Sequence, residues 1–150
     1  MSDILRLRAY LPYRLSILSN TVSRKIADLY DREFGINIWQ WRVMAIVGEQ
    51  PEISATELAQ RTAMDKVAVS RAVAGLVELG YLDRTPSKQD ARRSALTLTK
   101  IGHSIYNQIV PLARQAEEDL LADLSDKDAA DLERLMGKLA KSAEPERDLW

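Results

Sequence analysis

Apolar residues recur at spacings of three and four along most of this chain, and at a spacing of two in only one place. Leu11, Leu15, Leu18, Val22, Ile26 and Leu29 form one stripe, which predicts a helix from about Tyr10 to Phe34. Pro12 falls in its first turn, where proline is tolerated, and Gly35 suits its end. Asn37 with Gln40 three residues on predicts the N-cap of a second helix, Ile38 to about Glu49, closed by Pro51. Ser54-Ala55-Thr56-Glu57 has the form of a capping box and opens a short helix ending near Arg61. A turn at Thr62-Ala63-Met64 leads to Asp65, which caps a further helix running to Gly80. Val69, Ala72, Val73, Leu76 and Leu79 share the inner face of that helix.

The period of two comes next. Leu96 and Leu98 alternate with polar neighbours, so Tyr81 to Thr85 and Ser94 to Thr99 are predicted as a β-hairpin, with its tip between Pro86 and Arg93. A long helix from Lys100 carries Ile101, Ile105, Ile109, Leu112, Ala116 and Leu120. Pro111 should bend it or remove one hydrogen bond. Ser125, with Asp128 as box partner, caps a last helix striped by Leu132, Leu135, Met136 and Leu139. The tail from Ala143 to Trp150 is expected to fray.

The middle of the chain carries the chemistry. From Ser54 to Thr99 the order is helix, tight turn, helix, then two strands around a basic loop. In a helix-turn-helix the first helix braces the second, whose N-terminal turns enter the major groove. Here the second helix turns Lys66, Val67, Ser70, Arg71 and Ala74 outward. Lysine and arginine can bond guanine edges or phosphates, Ser70 can bond either, and Val67 can touch a thymine methyl. That helix alone also fits an ordinary amphipathic helix with a solvated face. The basic tip Ser87-Lys88-Gln89-Asp90-Ala91-Arg92-Arg93 tips the balance towards DNA. Asp90 can hold a neighbouring guanidinium by paired hydrogen bonds, and Arg92 so oriented can enter a narrow minor groove. The plainer alternative is a surface ion pair that stiffens the loop. Arg93, Arg84 and Lys88 are expected to support on phosphates.

The formal net charge of −1 is unusual for a DNA binder, but its distribution is not. Residues 54 to 102 carry eight cations against five anions, a net +3, and residues 103 to 150 carry six against eleven, a net −5. Basic charge sits on the module that would face DNA. With 150 residues the chain is expected to be one domain or one intertwined unit. The absence of cysteine excludes disulfides, thiolate metal sites and cysteine chemistry. Neither a membrane-length apolar run nor a secretory leader is recognisable, so a cytoplasmic protein is expected, with no membrane partner. One histidine, no Gly-rich phosphate loop and no nucleophile elbow give no basis for an enzyme, a cofactor or a metal site.

The run Ala55 to Gly102 resembles the MarR family of bacterial winged-helix regulators. The resemblance rests on Glu57-Leu58-Ala59, Ser70-Arg71, Leu76-Val77-Glu78-Leu79-Gly80-Tyr81-Leu82, Asp90-x-Arg92 and Leu98-Thr99-x-x-Gly102. Position 91 is Ala where relatives often carry a charge, so one wing contact is expected to be missing. The resemblance implies a mostly α fold with a small β-hairpin wing. Residues 37–99 would form the winged helix-turn-helix, and residues 1–36 and 100–150 the dimerising terminal helices. It also implies a homodimer on a roughly palindromic operator of double-stranded DNA, weakened by a small phenolic or aromatic acid. For such a ligand it points to helices one, two and five, where Tyr13, Arg14, Trp39, Arg42 and His103 are candidates. An arginine beside an aromatic wall suits a carboxylate on a ring. Packing roles for the tryptophans, a surface ion pair for Arg14 and a solvated His103 remain open. The favoured function is a ligand-responsive transcriptional repressor. A constitutive architectural DNA binder and a winged-helix protein-interaction module remain as alternatives.

Overall fold

The computed structural model describes residues 4–62, 64–90 and 92–150. Two parts of the sequence reading, the centre of the 62–64 turn at Ala63 and the substituted wing position Ala91, lie outside the described residues. A short 3-10 turn at Leu7–Ala9 precedes α1, Leu11–Phe34; then come α2, Ile38–Glu49, and β1, Ile53–Ser54. They are followed by α3, Ala55–Arg61, α4, Lys66–Glu78, β2, Leu82–Pro86, and β3, Ser94–Leu98. The chain ends with α5, Lys100–Leu121, and α6, Asp126–Ala143. Two units divide it, one reaching Tyr106 and the other starting at Asn107.

Each predicted cap is made. Asn37 and Gln40 exchange side-chain to backbone hydrogen bonds of 2.9 Å at the start of α2, and Ser54 and Glu57 do so at 3.1 Å at the start of α3. The Asp65 carboxylate accepts from the Ala68 N–H at 2.8 Å. Each of these bonds satisfies a donor that a helix start leaves without an intrahelical partner.

The core of the first unit is built from Tyr30, Val43, Met44, Val47, Leu58, Val73 and Leu76 of the helices, Ile36 between α1 and α2, and Ile53, Leu82 and Leu96 of the strands, all essentially inaccessible. Trp41 packs between Tyr30 and Tyr106, ring centroids 5.4 and 5.9 Å away. Burial raises the Tyr30 phenol above its ordinary pKa. The sheet has three antiparallel strands in the order β1-β3-β2, one more than the periodicity predicts. Strand β1 is two residues long, too short to show a period, and Ser54 serves it and the α3 cap at once. Leu79, expected on the inner face of α4, is 44% exposed. It is the last residue before Gly80 turns the chain away at φ +76°, so no further helical turn covers it. Pro111 sits inside an α5 that runs on past it, with ten residues following.

One joint sets the wing. The Tyr81 N–H donates to the Leu76 carbonyl at 2.9 Å and the Gly80 N–H to Val77 at 3.0 Å, a Schellman closure of α4 that requires the left-handed Gly80. The Thr99 hydroxyl donates to the Gly80 carbonyl at 2.6 Å and accepts from the Gly102 N–H at 2.9 Å, capping α5. The Thr99 N–H donates to the Tyr81 carbonyl at 3.0 Å. Gly102 lies so close to that carbonyl that a Cβ there would stand 2.0 Å from its oxygen. The end of α4, the root of the wing and the start of α5 are therefore fixed to one another.

The first half of α1 is uncovered, with Leu11, Leu15 and Leu18 between 47% and 59% exposed. In the second unit α6 buries none of its residues, and its stripe of Leu132, Leu135, Met136 and Leu139 is open.

Candidate nucleic-acid interface

Helix α4 lies in the first unit with Val69, Ala72, Val73 and Leu76 buried and Lys66, Val67, Ser70, Arg71 and Ala74 exposed. The predicted inner and outer faces are thus the observed ones, Leu79 apart. Between α3 and α4 runs an open groove of about 410 Å³. Ala55, Ala59, Val69 and Val73 make its apolar floor, and Thr56, Gln60, Lys66, Ser70 and Arg84 its polar rim. Arg84 reaches this rim from β2, opposite Leu96 of β3 in the sheet. Thr56 and Gln60 were not among the sequence candidates. Their i, i+4 spacing on a helix whose phase the capping box fixes was the available signal.

At the wing tip, the described residues are hydrogen-bonded around Asp90. The Ser87 N–H donates to the Arg93 carbonyl at 2.8 Å, and the Arg93 N–H to the Asp90 carbonyl at 2.9 Å. The Asp90 carboxylate accepts from the Arg92 backbone N–H at 3.0 Å, while its other oxygen lies 3.8 Å from the Arg93 Nε. The expected paired hydrogen bonds to a guanidinium are not formed. A separation of 3.8 Å is an ion pair and not a hydrogen bond, and the guanidinium is that of Arg93. The reason is local: Asp90 bonds the backbone two residues on, as a turn aspartate does, which uses the oxygen that a fork would need. Asp90 shapes the tip, and the Arg92 side chain is exposed. Lys88, also exposed, is 3.3 Å from the Glu52 carboxylate. Arg61 donates to Glu49 at 2.6 Å and Gln50 at 3.0 Å, tying the end of α3 to the end of α2.

A family model described as MarR family matches residues 34–93, which span this whole surface. The HTH-type transcriptional regulator BilQ of Clostridium symbiosum is 27% identical over 73% of this chain and 76% of its own length. A MarR/EmrR family transcriptional regulator from Acinetobacter sp. ADP1 has the same fold over 94% of this chain and 99% of its own, with a TM-score of 0.85 and 25% identity. Residues 34–93 thus match the MarR family, and the chain shares the fold of a MarR-family transcriptional regulator. A mutant MarR from E. coli, solved in complex with operator DNA, superimposes with a TM-score of 0.81 over 92% of this chain and 99% of its own, at 24% identity.

Within this MarR fold the five ligand candidates do not converge. Trp39 and Arg42 line a cleft of about 690 Å³ between α1 and α2, with Asn20, Ser23 and Arg24, and the Arg42 guanidinium lies 5.1 Å from the centre of the Trp39 ring. Tyr13 and Arg14 line a second, more open cleft on the first half of α1, with Arg8, Leu18 and Thr21, which adjoins the first at Ile17. His103 is exposed and lines neither. Its neighbour Gly102 is the α5 residue that faces the wing root, and one helical step carries His103 away from it. Among the described residues no cluster of ligating side chains could hold a metal, and no helix is long and apolar enough to cross a membrane.

Proposed function

We propose that this regulator acts as a homodimeric repressor on a pseudo-palindromic operator, in the cytoplasm where its DNA lies. The observation that carries this reading is the convergence of exposed cations on one module: Lys66 and Arg71 on α4, Arg84 on the groove rim and Arg92 at the wing tip. Helix α4 enters the major groove, with Val67, Ser70 and Arg71 on base edges and Lys66 on a phosphate. Arg92 enters the neighbouring minor groove, and Arg84, Lys88 and Arg93 meet phosphates. The E. coli MarR, bound to operator DNA, supports the same use of this fold. Replacing Arg92 by alanine is expected to weaken operator binding about tenfold and to flatten the salt dependence by about one unit per subunit. Retardation assays across a salt series check this; unchanged affinity with an unchanged slope refutes the role of Arg92.

The uncovered apolar faces of α1 and of α6 support the dimer, because each leaves leucines half exposed that a second copy can cover. Two copies of α4 then stand about 34 Å apart, one turn of the duplex. Sedimentation at micromolar concentration is expected to give about twice the 16.9 kDa of one chain. A monomer there would remove the architecture.

The Trp39–Arg42 cleft supports a small aromatic carboxylate as effector, its ring against the indole and its carboxylate on Arg42 or Arg24. Such a ligand acts by preferring one spacing of the reading helices. Aromatic acids are expected to raise the melting temperature in proportion to the logarithm of their concentration. Silence across a panel of such acids would favour a constitutive DNA binder.

A further inference from the structure

Glu52 holds an unusual backbone position. Its φ is +64°, the one left-handed non-glycine residue among those described. Long unbranched side chains seldom adopt this region, and glycine or asparagine would fill it at less conformational cost. The turn itself is required, because the Glu52 N–H donates to the Leu96 carbonyl at 3.1 Å and leads directly into β1. That requirement concerns the backbone alone and gives no reason for a carboxylate. The carboxylate has a separate contact: it lies 3.3 Å from the Lys88 ammonium at the wing tip. A non-glycine outlier whose side chain reaches into a working surface points to a role for that side chain.

We propose that Glu52 is a counter-charge that restrains the wing, masking Lys88 in the free protein so that DNA phosphate must displace a carboxylate to engage it. The inference rests on the reading of the wing as a DNA-contacting element. Both partners are solvent-exposed, with side-chain accessibilities of 86% for Lys88 and 55% for Glu52. Such a pair is weak enough for a phosphate to replace. The restraint acts on a backbone contact that carries no sequence information, so it lowers affinity for random duplex as much as for operator. Base contacts from α4 are untouched. Glu52 is thus a positioning residue that holds down sequence-independent binding.

The test is a double-mutant cycle on the full-length dimer, read as affinity for operator and for random duplex across a salt series. Glu52→Gln is expected to tighten both about three- to tenfold at low salt and to steepen the salt dependence by about one unit per subunit. In a Lys88→Ala background the same change is expected to do nothing. Glu52→Gly, which also relieves the left-handed backbone, is expected to bind as tightly as Glu52→Gln and to melt higher, so a folding defect cannot imitate the result. Three outcomes overturn the proposal: unchanged affinity, weaker binding, or a gain that survives removal of Lys88. If the wild-type protein retards no duplex even at low salt, the DNA reading falls first and this inference with it. That result is separate because it appears before any substitution at position 52.

Discussion

Alanine at Gly102 is expected to destabilise the protein by about 3 kcal/mol or more, the upper range for overpacking in a well-packed site. The added methyl would meet the Tyr81 backbone, 2.0 Å from the carbonyl oxygen and 2.9 Å from the carbonyl carbon. Backbone cannot rotate aside as a side chain can. Here the carbonyl is also held by the Thr99 N–H, and the same joint includes the Gly80 turn and the Thr99 cap. To make room, either the first turn of α5 or the root of the wing must shift. Either shift breaks hydrogen bonds that are otherwise made at 2.6 to 3.0 Å. For a chain of this size the expected drop in melting temperature is about 6 °C or more. Surviving protein would carry a displaced wing, so loss of DNA affinity should exceed loss of folded fraction. A Gly102→Ala protein melting within about 2 °C of wild type would show that the close approach is relieved at little cost.

Gly102 also shows why some of this fold was legible in the sequence and some was not. The helices announce themselves because caps are short-range chemistry: Asn37, Ser54, Asp65 and Ser125 each bond a group three residues away, and the structure makes all four bonds. The faces of α4 follow from the period of its apolar residues, which the core then enforces. The Leu98-Thr99-x-x-Gly102 motif was visible as a resemblance, but its reason was not. Glycine is needed there because of a carbonyl twenty-one residues earlier in the chain, and no local pattern encodes that distance. Strand β1 was hidden for the same cause, since two residues gain their strand character only from pairing with Leu96 and Ala95. At the wing tip, charge and spacing paired Asp90 with the Arg92 guanidinium. The turn geometry gives a different result: the Arg92 backbone N–H donates to the Asp90 carboxylate, and the nearby guanidinium is that of Arg93. The Glu52–Lys88 pair spans thirty-six residues, and a left-handed glutamate has no sequence signature. For the ligand candidates, the family resemblance pointed to one pocket, while His103 does not line the Trp39–Arg42 cleft.

The double substitution Lys66→Ala with Arg71→Ala should separate binding from folding most sharply. Both side chains are exposed, neither makes an ion pair with a described residue, and alanine is the best helix former, so thermal stability is expected to hold. A small rise is expected instead. Lys66 is the first residue of α4, where the aligned peptide dipoles place positive charge and a cation is unfavourable. Asp65 just before it is the cap that this end calls for, and the first turn holds no acidic residue. A cation where the helix itself would choose an anion is a local inconsistency, and such positions are where a protein gives up stability for a contact made elsewhere. On operator DNA the loss should be large. A basic contact to a base or phosphate contributes about 1 to 3 kcal/mol, and each substitution removes two contacts from the proposed symmetric dimer. Even allowing for non-additivity, the expected loss is about 4 kcal/mol or more, roughly a thousandfold in affinity. Taken singly, the two should differ in kind. An Arg71 contact on a base edge relaxes preference at one operator position in each half-site. A Lys66 contact on phosphate weakens operator and random duplex together and lowers the salt slope. Equal affinity of the double variant and wild type, with both proteins folded, would move the reading surface off α4 altogether.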